Sequence, residues 1–162
     1  MVRGGETLKI EHEYTFGLPR NIVWKYIKDE KVLRNAIPGC KSFIETSKGV
    51  YKAELEIKMG PIQDLFTLEI RLEEKKSASL YRLHVKGTGN IGEIAGKADL
   101  YIKDFEGSAN LHCQAEAQVN GAIALAGQRF LESGANQNME TFFSKVEKEI
   151  KRTLYYLKRR SR

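Results

Sequence analysis

The sequence has little of what covalent or metal staples require. Its two cysteines, Cys40 and Cys113, fit no zinc-binding spacing and suggest no disulfide framework. They are expected to be free thiols in a reducing compartment. Three histidines stand singly in strand-like segments, so no metal site is expected. No apolar run approaches the ~18–20 residues of a membrane-spanning helix. The opening Met1-Val2-Arg3-Gly4-Gly5-Glu6 lacks the apolar core of a secretion signal, which points to the cytoplasm. Val2 in place of glycine excludes a myristoyl anchor. Also missing are a Gly-x-Ser-x-Gly elbow and a P-loop. Glu73 and Glu74 are adjacent in an expected polar turn, Glu73–Ser79, so they point apart and make no acid–base pair.

What is present is a folding composition. The chain has 162 residues, 41% hydrophobic and 30% charged, enough apolar material for one ordinary domain and too much for a disordered chain. The formal charge of +6 is concentrated at one end. Residues 145–162 hold eight Lys or Arg against Glu147 and Glu149, and the rest of the chain is net neutral. A neutral body without basic–aromatic interleaving argues against nucleic-acid binding. Two readings of the basic end stay open. Its cations can simply oppose the negative end of a helix dipole. Alternatively Lys158, Arg159, Arg160 and Arg162 contact an acidic surface, either a protein or anionic lipid.

Periodicity supplies the architecture. Leu8, Ile10, His12, Tyr14 and Phe16 alternate with Lys9, Glu11 and Glu13, predicting a half-buried strand. Pro19 suits a helix start, and Ile22, Val23, Tyr26 and Ile27 recur at helical spacing around Trp24. Asp29 can cap a second short helix that ends at Pro38-Gly39. Strand patterns then follow at 41–46, 51–59, 66–72, 81–86, 94–103 and 109–119, separated by short polar turns. From about Leu125 the period changes. Met139, Phe142, Phe143, Val146, Ile150, Leu154 and Leu157 mark one stripe of a long helix. The expectation is one α+β domain over residues 1–162, with a curved antiparallel sheet of about seven strands gripping the C-terminal helix.

Gly87-x-Gly89-x-x-Gly92 matches a dinucleotide-binding pattern literally, but strand periodicity follows it where a helix is required. A hairpin is the better reading. The last two strands direct small residues inward: Gly96, Ala98, Ala109, Cys113, Ala115 and Ala117. Cores pack densely, so such residues need either a close helix or a guest molecule, and both outcomes stay open. His12, Tyr14 and Tyr81 are the polar side chains on inward faces. They read either as hydrogen-bonded core residues or as polar cavity contacts. Trp24 reads as core, and Arg129 as a charge holding a loop.

Phe16-x-x-Pro19, Trp24-x-x-Ile27-x-Asp29, Ile37-Pro38-Gly39-Cys40, Lys58-Met59-Gly60-Pro61-Ile62, the 87–92 glycines and Gly121-Ala122-Ile123-Ala124-x-x-Gly127-x-Arg129 together resemble the CoxG family, named for the CoxG component of carbon monoxide dehydrogenase. The resemblance runs over about residues 7–145. It implies the helix-grip fold of the START-like and birch-pollen-allergen (SRPBCC) superfamily. It also implies a non-enzymatic accessory role without a cofactor: binding a quinone or lipid-like molecule and assisting a molybdenum hydroxylase or its membrane contact. Many such relatives add a linker and a membrane-seeking tail. Here the sequence stops at Lys158-Arg159-Arg160-Ser161-Arg162, implying at most weak peripheral contact at the inner face of the membrane. The expected ligand-lining residues are Phe66, Leu68, Leu83, Ala98, Leu100, Ala115, Ala117, Met139 and Phe142. Two alternatives compete: a cyclase- or hydratase-type enzyme using His12, Tyr14 and Tyr81, and an assembly factor docking through the basic end.

Overall fold

A computed structural model describes residues 5–160. The first alternating segment forms β1 (Glu6–Phe16). Two short helices follow, α1 (Arg20–Tyr26) and α2 (Glu30–Ala36). Pro19 sits at the α1 N-cap, where its missing N–H costs nothing and its carbonyl accepts from the Ile22 and Val23 amides. Asp29 caps α2 by accepting from the Val32 amide at 3.0 Å. Six strands come next: β2 (Cys40–Ser47), β3 (Val50–Met59), β4 (Ile62–Lys76), β5 (Leu80–Gly89), β6 (Gly92–Phe105) and β7 (Ser108–Asn120). A 3-10 turn (Ala122–Ala126) leads into α3 (Gln128–Arg160).

The strands make one antiparallel sheet in the order β1-β7-β6-β5-β4-β3-β2. From β2 to β7 every neighbour is a hairpin partner. The crossing from β1 to β2 carries α1 and α2 over the concave face. With α3 these helices close the layer, as the alternation and the helical stripe led one to expect.

Three boundaries differ from the periodicity reading. The long helix starts at Gln128, because Gly127 adopts φ +93° and breaks the continuity of the 3-10 turn. β4 extends through Glu73–Lys76, which read as a turn from its charge. Leu157 is 51% exposed, not part of the buried stripe, since burial fades at Leu154 and α3 then projects past the sheet.

Both sheet edges are covered. On β1, the Lys9 amide donates to Glu132 of α3 at 2.7 Å. On β2, the Glu45 amide donates to Glu30 of α2 at 2.9 Å. Carboxylates from helices thus satisfy edge N–H groups that could otherwise pair with another chain.

Candidate functional site

The placement of α3 decides what lies beneath it. Among the strands, it approaches β1 most closely, and it also packs on α2. A polar seam holds it there. His12 places Nε2 2.9 Å from Glu140 Oε1 and Nδ1 3.3 Å from Asn136 Oδ1. The Tyr14 hydroxyl donates to Glu147 at 3.0 Å, and Lys151 donates to the same carboxylate at 2.7 Å. Burial would raise the Glu147 carboxyl, but hydrogen bonds from Lys151, Tyr14 and the Gly17 amide together hold it below its ordinary range. Burial, reinforced by Glu147, pushes the Tyr14 phenol up to about 12.

Along its length α3 reaches the sheet near its start, where Leu131 shares a core cluster with Phe66. It does so again at Val146 and Ile150, which share a cluster with Leu100 and Ile102. Between these contacts the small residues of β6 and β7 leave a gap. The gap is an apolar cavity of about 330 Å³. Its floor is the small-residue wall of β6 and β7, where Gly96 faces Ala117 and Ala98 faces Ala115 across the ladder. Lys97 and Glu116 flank these positions; their side chains are exposed. Its roof is Met139, Phe142 and Phe143 of α3. Leu72, Leu83 and Leu100 line the middle, and Ile27, Leu33 and Ile37 close the end under α2. Leu83, Ala98, Ala115, Ala117 and Met139 point inward yet stay only half-buried, as residues around unfilled space do. An apolar cavity of ~150 Å³ can hold a benzene ring, so this one has room for about two.

Polar groups at the wall are few. Tyr51 spends its hydroxyl on the Lys28 carbonyl at 2.7 Å, and burial raises its phenol to about 12. Burial likewise pushes the Cys113 thiol up to about 11, far from a reactive thiolate. Among the described residues, no group of three or more His, Cys, Asp or Glu could hold a metal ion.

Of the nine expected lining residues, Leu83, Ala98, Leu100, Ala115, Ala117, Met139 and Phe142 surround the cavity. Phe66 and Leu68 do not, and the cause lies across the ladder. Gly87 pairs with Leu68, and a Cβ there would collide with the Leu68 side chain. A Cβ at Gly89 would stand 2.8 Å from the Phe66 ring. Both side chains therefore fill notches left by glycines, and Phe66 is fully buried in a separate core cluster with Leu131 and Val119. The 87–92 glycines serve this packing and the β5–β6 hairpin, not a phosphate.

The polar candidates also lie off the cavity. His12 and Tyr14 face the α3 seam, and Tyr81 donates to the Trp24 carbonyl at 3.2 Å while stacking on its ring at 3.7 Å. They do not converge on one point. Sequence reasoning missed the contribution of α2: the Leu33 and Ile37 stripe was visible, but not that it would roof the cavity.

Residues 15–151 match the family profile of the CoxG component of carbon monoxide dehydrogenase. The chain belongs to the CoxG family. No curated protein matches it in sequence. Among solved structures, a conserved protein of Geobacillus kaustophilus is 26% identical with a TM-score of 0.85, covering 90% of this chain and 97% of that one. The ZhuI aromatase/cyclase of Streptomyces sp. R1128 is 15% identical with a TM-score of 0.67, covering 92% and 96%. A START superfamily protein of Mycobacterium smegmatis is 8% identical with a TM-score of 0.68, covering 90% and 98%. The last two likenesses establish the fold: this CoxG chain has the helix-grip, START-like architecture.

In this CoxG chain the signature Ile37-Pro38-Gly39-Cys40 turns α2 back onto β3. Gly39 has φ +72°, its carbonyl accepts from the Glu56 amide at 2.8 Å, and a Cβ would strike the Glu56 carbonyl. Beyond Leu154, Tyr155, Tyr156 and Leu157 are more than half exposed amid the closing cations. Arg159 lies over the Tyr155 ring, 5.7 Å from its centroid, and Lys158 and Arg160 are exposed. Arg162 lies outside the described residues. Among the described residues no helix is long and apolar enough to cross a membrane.

Proposed function

We propose that this CoxG-family chain is a non-enzymatic accessory protein. It holds a hydrophobic small molecule, quinone or lipid-like, between the sheet and α3, and assists a molybdenum hydroxylase or its membrane contact. One observation carries the reading: an apolar cavity of about 330 Å³ whose wall polar groups are satisfied or inert. Burying ~300 Å² of ligand at ~25 cal/mol/Å² yields about 7 kcal/mol before ordering costs, so micromolar affinity needs no polar anchor. The enzyme alternative wants acid–base groups converging on the cavity, and the scattered positions of His12, Tyr14 and Tyr81 weigh against it. Native mass spectrometry with organic extraction tests the proposal. A stoichiometric apolar adduct, or uptake from a quinone and lipid panel, supports it. A clean apo mass with no uptake overturns it.

A second reading is favoured by the projecting end of α3. Exposed Tyr155, Tyr156 and Leu157 among cations suit docking on an acidic partner surface. Replacing Lys158, Arg159, Arg160 and Arg162 with serine should then abolish salt-sensitive pull-down of the cognate hydroxylase. Unchanged binding removes this end from the function.

A further inference from the structure

The two sides of α3 are held in different ways. On the β1 side hydrogen bonds fasten it at Glu132, Asn136, Glu140 and Glu147. At its far end Asn35 of α2 donates to Glu149 at 3.1 Å. On the opposite side the tip of the β3–β4 hairpin reaches it, and there the contact is of another kind. Among the described residues no hydrogen bond or ion pair joins this hairpin to α3. Two large side chains each sit against a glycine of the other element. Met59 of the hairpin occupies the notch at Gly134 of α3, where a Cβ would collide with its sulfur. Phe130 of α3 lies on Gly60 of the hairpin, its ring 3.3 Å from where a Cβ would be.

This reciprocal latch borders the cavity. Phe130, Gly134 and Asn138 lie four residues apart, so they follow one another along one side of α3. One turn further along, and rotated by about 120° from Phe130, Phe142 lines the cavity. Met139 also lines it, and packs against the same apolar cluster as Ile57, Met59 and Ile62. The seam itself is loosely filled. A groove of about 220 Å³ runs along it, lined by Lys58, Ser133, Gln137 and Asn138 as well as the latch residues. Lys58, Ser133, Gln137 and Asn138 along it are already exposed, so opening this seam strands no polar group.

We infer that the β3–β4 hairpin is a strap that swings off α3 to admit and release the ligand. The inference rests on the cavity being a binding site. It names a route and a moving part that a merely static cavity does not require. α3 stays fixed to β1 while the strap pivots, since the hydrogen-bonded seam is the stronger of its two sides.

The experiment follows uptake of N-phenyl-1-naphthylamine, a neutral fluorophore that brightens in apolar surroundings, by stopped flow. In Met59→Cys/Gly134→Cys the shorter residue at 59 vacates the notch for the new Cβ. A crosslink there, verified by mass, should slow uptake at least tenfold. Reduction should restore it. Phe130→Ala, which loosens the latch, should speed uptake and release several-fold with little change in equilibrium affinity. A crosslinked protein that takes up the dye at the wild-type rate overturns the strap. Should the double variant not fold, an unchanged rate in Phe130→Ala overturns it equally. No saturable binding in wild type and variants alike overturns the cavity reading, and the strap falls with it; binding with unaltered rates overturns the strap alone.

Discussion

Ala115→Leu tests whether the space beneath α3 is empty, without any ligand being known. Ala115 faces Ala98 across the β6–β7 ladder, and both line the cavity. Leucine adds three carbons. At about 0.8 kcal/mol per buried carbon the transfer gain is about 2.4 kcal/mol. Fixing the leucine rotamer offsets about 0.5–1 kcal/mol of that. The variant should therefore be more stable by about 1.5 kcal/mol, or about 3–6 °C in Tm for a domain of this size. In a filled core the same change is overpacking and costs about 1–3 kcal/mol. The two cases differ in sign, so the direction of the shift decides between an empty space and a filled one. Urea unfolding followed by circular dichroism and by the emission of Trp24 reads it directly, as a midpoint shift at constant slope. At roughly 30 Å³ per added carbon the side chain also takes about a quarter of the 330 Å³, so ligand affinity should fall as stability rises. A lowered midpoint would refute the reasoning and mean that α3 already fills the space at 115.

Other positions give sharper contrasts. Gly96→Ala should destabilise by about 1–3 kcal/mol in the same unfolding assay although Gly96 lines the cavity, because its Cβ would stand 2.7 Å from the Glu116 carbonyl oxygen and 3.0 Å from the Ala117 Cβ. Glu147→Gln should cost about 1.5 kcal/mol at neutral pH. The folded pKa of Glu147 lies below its ordinary 4.5, so the wild-type advantage is complete above that value and fades as pH falls through the folded one; an advantage persisting into strong acid would contradict the seam. A thiol reagent at pH 8 should label half-exposed Cys40 slowly and buried Cys113 only on unfolding, which mass spectrometry of peptides can follow.

Most of the fold was legible because its strands write period two plainly. Leu8 through Phe16 and Ala109 through Val119 each keep one face apolar, and that fixes register as well as identity. The Asp29 cap and the Pro38-Gly39 stop are local chemistry and could be read locally. The small inward residues of β6 and β7 signalled a space, but not who would occupy it. That depended on α3 being drawn to β1 by His12, Tyr14 and their partners more than 120 residues away, and no local pattern carries such a pairing. Phe66 and Leu68 share the alternation of true lining residues. Only the register against Gly87 and Gly89 tells them apart. Charge misled at Glu73–Lys76, where an exposed strand end looked like a turn.

The suture between β1 and α3 also sets the order of assembly. Glu6 pairs with Val119, and the Lys9 amide waits for a carboxylate 123 positions later. The hairpins from β2 to β7 join neighbours in the chain and can form as soon as each is made. β1 cannot, and it remains an unclaimed strand through most of synthesis. α1 and α2 can already cover Tyr81 and Tyr51, but the part of the concave face carrying Ala98, Leu100 and Ala115 has no cover from α3 until residues near Phe142 exist. A nascent chain of this protein is thus a half-built trough with a wet apolar lining, and its exposure to misassociation is longest just before the final helix arrives.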